Sequence, residues 1–362
     1  MKTSARIFRG LLLFAVVILF SCSEDTTGPE DVSYNWPTST PEDQGMDSQL
    51  LTQAISQGEN LGFVDCILVI RNGYIVAENY YNGYDKDSPH DVRSVSKSFL
   101  SALTGIALRD GYLDSLGLKM LDFFPEYVYP SIDPRKFDIT IRHLLMMRMG
   151  IDSDENIYNQ VYNSSNWVKT TIELPLLHNP GSKFLYSTYQ THLLSVIITK
   201  ASGMSTMEFA RRFLLSEMKI ECNEWQQDAQ GYYFGGNSMD FTPRNMARLG
   251  YLYMNNGNLN GKQIVPAEWV EESLTNYTGF VGQNWGDLHN FNYGYLWWLG
   301  EVKDHQVFLA LGHGGQFILN FPDLNLIVVA TADWKLDWDT ADQHERAILS
   351  IIANYIVPAV NP

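Results

Sequence analysis

The sequence predicts an α+β fold, one antiparallel sheet flanked by helices with an inserted, mostly helical lobe. Three observations carry that reading. Strand-like apolar runs stand near both ends of the chain, helical periodicity fills the stretch between them, and Asn72-Gly73 marks a hairpin between the first two strands.

Taken in order, Gln49 to Glu59 has helical spacing, and Val64 to Arg71 and Tyr74 to Tyr81 flank the hairpin turn. Mostly helical segments then occupy Ser96 to Thr275. The first carries Phe99, Leu100, Leu103, Ile106 and Ala107 on one stripe, the pattern of a buried helix, and stops at Arg109-Asp110-Gly111. Others are expected at Thr140 to Met147, at Tyr189 to Lys200 closed by Gly203, at Ser205 to Met218 with a Ser-x-x-Glu capping box, and after Thr242-Pro243. Strands return at Gly294 to Glu301, Val307 to Leu311, Gly315 to Phe321 and Leu326 to Ala332, and a last helix runs from Gln343 to Ile356. The sheet must therefore join distant parts of the chain. About 320 folded residues are ample for sheet and lobe together.

Ahead of this domain (41–360), Lys2, Arg6 and Arg9 precede the apolar run Leu11 to Phe20, too short to span a bilayer comfortably. Leu19-Phe20-Ser21-Cys22 resembles a bacterial lipobox, which implies a signal peptide over 1–21, lipid on Cys22 and a place in the bacterial cell envelope; an ordinary secretory signal or an uncleaved anchor is the alternative. Residues 22–40, rich in acidic residues, Thr, Pro and Gly, read as a flexible tether. The net charge of −16 argues against nucleic acid and against docking on anionic membrane. Cys66 lies in an apolar strand and is expected as a buried free thiol; no spacing rule supports a bridge to Cys222.

The chemistry is concentrated at Ser94-Val95-Ser96-Lys97. Positions i and i+3 share a helix face, so this spacing sets an amine beside a hydroxyl, as a serine nucleophile without a histidine base requires. Such a tetrad arises by chance about once in a chain of this size. A second one, Ser216 to Lys219, does occur, but at the end of its helix, where the dipole opposes an alkoxide. Ser94 stands at a helix start, where the dipole favours one. Downstream, Gly181 to Thr188 leads through Tyr186 into a helix, and Gly312-His313-Gly314-Gly315-Gln316 is a glycine-lined entry to a strand. No Gly-x-Ser-x-Gly elbow, His-Glu-x-x-His or phosphate-binding loop is present, and the 8 histidines lack metal-ligand spacing, so neither metal nor cofactor is expected. Asp152, Asp154 and Glu155 read as a solvated acidic loop, with a substrate-facing carboxylate as the alternative.

With these motifs, and with Tyr81 to Tyr84, His143 to Met147, Pro243 to Gly250, Gly261 to Trp269 and Tyr293 to Trp298, the chain resembles the β-lactamase-related serine hydrolases. That group comprises class C β-lactamases, D-alanyl-D-alanine carboxypeptidases, β-lactamase-like esterases and 6-aminohexanoate-dimer hydrolase. The resemblance implies a β-lactamase/transpeptidase-like fold and an acyl-enzyme on Ser94, with Lys97 its partner and Tyr186 and His313 completing the set. It implies an oxyanion hole from the Ser94 and Gln316 N–H groups and substrate contacts from Thr188, Gly314 and Gly315. Lysine (~10.4) and tyrosine (~10) both hold their protons at neutral pH unless perturbed, and either is open as the base. Thr188 stands where the family has an asparagine that grips acylamide side chains; it also reads as an N-cap for the helix from Tyr189. The expected substrates are small carboxylic esters or short amides. A carboxypeptidase or β-lactamase is the alternative, and a non-catalytic penicillin-binding-like module a further one.

Overall fold

The computed structural model describes residues 36–279, 281 and 284–360. The expected signal peptide, Cys22 and most of the tether lie outside them. The part of the tether that is described is not free: Trp36 is buried, its Nε1 donating to the Arg244 carbonyl, and Ser39 and Pro37 exchange backbone hydrogen bonds with Ile75. The buried indole and these hydrogen bonds hold this stretch against the domain.

Helix α1 (Ser48–Leu61) begins at an Asp47 cap and ends at Gly62 in the left-handed region. Strands β1 (Val64–Arg71) and β2 (Tyr74–Tyr80) follow, turning at Asn72 and Gly73, which both have positive φ as a tight hairpin demands. The lobe then supplies α2 (Ser96–Arg109), α3 (Ile141–Leu145), α4 (Asp154–Tyr162), α5 (Trp167–Glu173), α6 (Thr188–Ser202), α7 (Thr206–Ala210), α8 (Pro243–Met254) and α9 (Ala267–Ser273). The chain returns through β3 (Leu288–Tyr293), β4 (Trp298–Val302), β5 (His305–Gly312), β6 (Gln316–Phe321) and β7 (Leu326–Ala332), and closes with α10 (Trp338–Ile351).

The sheet order is β2-β1-β7-β6-β5-β4-β3, antiparallel throughout. Its centre pairs the first strand with the last, Leu68 opposite Val329 and Ile70 opposite Ile327. Alternate residues of a strand point to opposite faces. Leu68 and Ile70 accordingly join α2, α6 and α8 in the larger core, while Ile67 and Val69 pack with α1 and α10 in the second. Helix α2 is buried on every side from Ser96 to Ala107, as expected of a helix running through the middle of a lobe.

Several boundaries differ from the sequence reading. The strand expected at Gly294 to Glu301 starts at Trp298, because Gly294 to Trp297 forms a turn with Leu296 at positive φ. Strand β3 was not expected: its Asn290 and Asn292 suit an exposed edge and hide the alternation. The helix expected over Ser205 to Met218 is a short α-helix followed by a wider π turn, Arg211–Leu215. Helix α10 starts at Trp338 under an Asp337 cap, ahead of the expected Gln343, its exposed first turn lacking apolar periodicity. Cys66 and Cys222 are both free and buried.

Candidate active site

Sequence-distant segments converge on Ser94. The serine lies in a single 3-10 turn, Arg93–Val95, that continues directly into α2, so it does stand at the amino-terminal end of that helix. The turn is entered through Arg93, whose φ of 52° is left-handed. A side-chain-bearing residue in such a conformation costs about 1–3 kcal/mol and persists only where its surroundings hold it. Asp91 holds it here, accepting the Arg93 N–H at 2.9 Å and lying 3.2 Å from its guanidinium. The end of β5 presses on the same turn: a Cβ on Gly312 would lie 2.3 Å from the Val92 carbonyl oxygen.

Lys97, on the first turn of α2, is 1% exposed. Its Nζ donates to Ser94 Oγ at 2.7 Å, to Thr188 Oγ1 at 3.1 Å and to the Gly236 carbonyl at 2.8 Å, so each N–H of an ammonium has an acceptor. Burial pulls the pKa of Lys97 down to about 7; the Asp154 carboxylate opposes that shift and Arg93 adds to it. Tyr186 presents its ring to the same amine, 4.9 Å from Nζ, and stacks on Trp298. Burial pushes the Tyr186 phenol well above its ordinary value, and the Ser94 hydroxyl offsets this only in part. The tyrosine is thus a neutral phenol at physiological pH.

Asp154 corrects the reading of a solvated acidic loop. It is the first residue of α4 and 6% exposed, and its carboxylate accepts the Thr188 N–H on both oxygens (2.8 and 2.9 Å) and the Thr188 hydroxyl at 2.5 Å. Burial raises its pKa, while Lys97, Thr188 and Ser187 pull the other way. The N-cap reading of Thr188 is corrected too. Helix α6 starts at Thr188 itself, Ser187 holds the cap position without a side-chain bond, and Asp154 caps the helix from a remote segment. Both Thr188 donors are committed to Asp154, leaving none for an acylamide substrate.

His313 is half-buried. Its Nε2 bonds the Leu336 carbonyl at 3.0 Å, and since a carbonyl only accepts, that nitrogen carries the proton. Burial, chiefly, lowers its pKa, so the ring is neutral near pH 7. Gly314 and Gly315 have φ of 84° and 107° and form the turn between β5 and β6. Gly314 gives its N–H to Glu345 Oε1 at 2.8 Å and so has no free backbone donor for a ligand. Gln316 turns its side chain inward, Nε2 donating to the Ala332 carbonyl at 2.6 Å, so its contribution to a substrate is limited to the backbone. The Ser216 of the second tetrad is exposed on the π turn's far end and lines neither groove described below.

Ser94, Asp154, Tyr186, Thr188 and His313 all line one cleft of about 590 Å³, with Trp285, Trp298 and Leu311 as its apolar wall and Glu155, Asp337, Asp339 and Asp342 among its acidic groups. A larger groove of about 860 Å³, bounded by α9 and β3 to β5, contains none of the nucleophile set. Among the described residues no cluster of metal-ligating side chains is present, and no helix is long and apolar enough to cross a membrane. Neither the burial of Asp154 nor the part of Gly236 as an acceptor for Lys97 is apparent from the sequence motifs. The Gly235-Gly236 pair was the visible signal for the latter: a Cβ on Gly236 would meet Thr191 Oγ1 at 2.4 Å and Lys97 Nζ at 3.1 Å.

A serine on a helix start, hydrogen-bonded to a buried lysine, in a chain that folds as a seven-stranded antiparallel sheet with an inserted helical lobe, defines the class of the penicillin-binding and β-lactamase fold. The chain belongs to the Beta-lactamase family, whose model matches residues 49–351; members of that fold are serine hydrolases. It is 24% identical over 300 residues to a 6-aminohexanoate-dimer hydrolase of Paenarthrobacter ureafaciens, covering 77% of this chain and 75% of that one. Among solved structures it is similar to EstCE1, a hydrolase with promiscuous acyltransferase activity (TM-score 0.66, 16% identity, 87% of this chain and 98% of that one). It is also similar to the octameric penicillin-binding protein homologue from Pyrococcus abyssi (TM-score 0.63, 18% identity, 87% of this chain and 78% of that one). These structural likenesses bear on the fold.

Proposed function

We propose that this protein is a secreted, lipid-anchored serine hydrolase that cleaves carboxylic esters or short amides through an acyl-enzyme on Ser94. The observation that carries the proposal is the 2.7 Å contact between Lys97 Nζ and Ser94 Oγ, made by an amine that burial brings to a pKa of about 7. Neutral Lys97 takes the Ser94 proton as Oγ attacks the substrate carbonyl carbon. The resulting oxyanion is met by the Ser94 and Gln316 N–H groups, an arrangement whose donors each contribute ~2.7–4 kcal/mol in other acyl-transfer enzymes. Collapse expels the alcohol or amine, which takes a proton from the Lys97–Tyr186 pair. Water then attacks the ester on Ser94 and the same pair accepts its proton; as the bond between the acyl carbon and Oγ breaks, the pair returns that proton to Ser94 Oγ and the acid leaves.

Electrostatics supports neutral or cationic substrates. Glu155, Asp337 and Asp339 line the cleft together with Asp342, which is paired with Arg346, while its cations are few: Arg93 is paired with Asp91 and His313 is neutral. Such a field repels the carboxylate that β-lactams and D-Ala-D-Ala peptides carry. The occupied hydroxyl of Thr188 points the same way, since it has no donor left for an acylamide group. Export rests on the lipobox-like Leu19 to Cys22.

The test is fluorophosphonate labelling followed by peptide mapping, then a panel of p-nitrophenyl esters, nitrocefin and D-Ala-D-Ala peptides. Labelling at Ser94, abolished by Ser94→Ala and kept by Ser216→Ala, with turnover of short acyl esters and little of nitrocefin, is the expected result. Efficient nitrocefin turnover with esters untouched would replace this reading by a β-lactamase.

A further inference from the structure

Thr188 places an ambivalent group, a hydroxyl that can give or take a hydrogen bond, beside the amine on which Ser94 depends. Its direction decides what Lys97 can do. If the hydroxyl proton pointed at Nζ, it would occupy the lone pair of a neutral lysine and repel the protons of a charged one. The structure shows why it does not. Asp154 Oδ2 lies 2.5 Å from Thr188 Oγ1, and both carboxylate oxygens are already fixed by the Thr188 N–H at 2.8 and 2.9 Å. Both oxygens act as acceptors toward the Thr188 N–H, so the hydroxyl proton goes to Asp154 and an oxygen lone pair is left facing Lys97 Nζ, 3.1 Å away.

From this geometry we infer that Asp154 is a positioning residue that fixes the Thr188 hydroxyl as a pure acceptor and thereby aims the lone pair of neutral Lys97 at the Ser94 hydroxyl. The inference rests on the reading of Ser94 as the acylated nucleophile. The count of donors carries it. Neutral Lys97 has two N–H groups and one lone pair, and it faces three partners. The Gly236 carbonyl is an acceptor by construction and Asp154 makes Thr188 one as well. Both N–H groups are thus claimed, and the one direction left for the lone pair is Ser94 Oγ. Asp154 reaches this position because it heads α4 and caps α6, so one buried carboxylate fixes both a helix end and a hydroxyl. The other groups bearing on Lys97 are Arg93, in the turn ahead of α2, and the Tyr186 ring, ahead of α6.

The test is the pH dependence of the second-order rate of fluorophosphonate labelling at Ser94, in the wild type, Asp154→Asn, Thr188→Val and the double variant, with folding checked by circular dichroism. In Asp154→Asn the carboxamide can offer an N–H to the Thr188 oxygen and turn its proton toward Lys97. The plateau rate should fall about tenfold to a hundredfold, the range for a hydrogen bond to a charged group. The midpoint of the rise should also move to lower pH, because the carboxylate that holds a proton on Lys97 is gone. Thr188→Val should lose a similar factor, and adding Asp154→Asn to it should cost no further rate, since the carboxylate acts through the hydroxyl. A folded Asp154→Asn protein with unchanged plateau and midpoint would overturn the inference, as would losses that multiply in the double variant. Should Asp154→Asn not fold, Thr188→Val decides alone: an unchanged plateau overturns the inference and a reduced one supports it. A wild type not labelled at Ser94 would overturn the hydrolase reading and this inference together, whereas normal labelling with an indifferent Asp154→Asn overturns the inference only.

Discussion

Replacing Gly236 by alanine adds one methyl group at a crowded point beside Lys97. The glycine is not among the residues with positive φ, so its backbone conformation is open to alanine and the effect is steric. The new Cβ would stand 2.4 Å from Thr191 Oγ1, 2.8 Å from Thr188 Cγ2 and 3.1 Å from Lys97 Nζ. Carbon contacts settle at about 3.5–4.0 Å, so all three neighbours must give way. None is free to do so. Thr191 Oγ1 bonds the Thr188 carbonyl at 2.6 Å, Thr188 is fixed by Asp154, and Lys97 Nζ bonds the Gly236 carbonyl itself. Overpacking of this kind costs about 1–3 kcal/mol in stability. Displacing Nζ weakens its bond to Ser94, and a hydrogen bond between neutral groups is worth about 0.5–1.5 kcal/mol, or roughly twofold to tenfold in rate. The assay is kcat/KM on a short p-nitrophenyl ester alongside thermal denaturation, to separate the two losses. A folded Gly236→Ala protein with wild-type kcat/KM would show that the Lys97 position is immaterial to the chemistry.

Three further predictions follow from the same site and the chain's start. The rate of Ser94 acylation should rise with pH through a midpoint near the Lys97 value of about 7, and Lys97→Arg should abolish the rise because a guanidinium keeps its proton; a rise centred near 10 instead would assign the base to an unperturbed amine or phenol. Burial raises the Glu345 pKa to about 8, above the ~4.3 of an unfolded glutamate, so its contribution to stability is present below that lower value and lost as pH climbs through the upper one. Glu345→Gln still accepts the Gly314 N–H and cannot ionise, so its Tm should fall less than that of the wild type between about pH 5 and 8; parallel Tm curves would contradict this. Cys22→Ser should release or misprocess the protein, and a soluble wild type with an unmodified amino terminus by intact mass would remove the anchor.

The parts of the site that were legible in the sequence are those whose partners lie close along the chain. Ser94 and Lys97 are one helical turn apart, and the stripe from Phe99 to Ala107 announces the helix that carries them. The Asn72-Gly73 hairpin and the β-branched run Leu326 to Ala332 were readable for a like reason, each being set by local backbone preference. Asp154 was misread because its meaning depends on Thr188, 34 residues further on, and a carboxylate beside Asp152 and Glu155 looks solvated until its cap site is known. Thr188 was misplaced by one residue for the same cause: a threonine ahead of a helix ordinarily caps it with its own side chain, and here a remote carboxylate has taken that role. Strand β3 was hidden because an edge strand need not alternate polar and apolar residues.

The pairing of β1 with β7 has a consequence for the order of events during synthesis. Val64 finds its partner only at Ala332, and the residues that pack around Ser94, Lys97 and the turn before them arrive at Tyr186, Gly236 and Gly312 in turn. Loops of that length close slowly, and a sheet whose central seam joins the first and last strands cannot nucleate from its beginning. A ribosome-bound chain therefore carries Ser94 long before it has the glycine turn and the strand that complete the cleft. The topology works as a timer that withholds a reactive serine until almost the whole polypeptide has been delivered, and it leaves the unfinished chain, with its apolar strands still unpaired, as the species most in need of a chaperone.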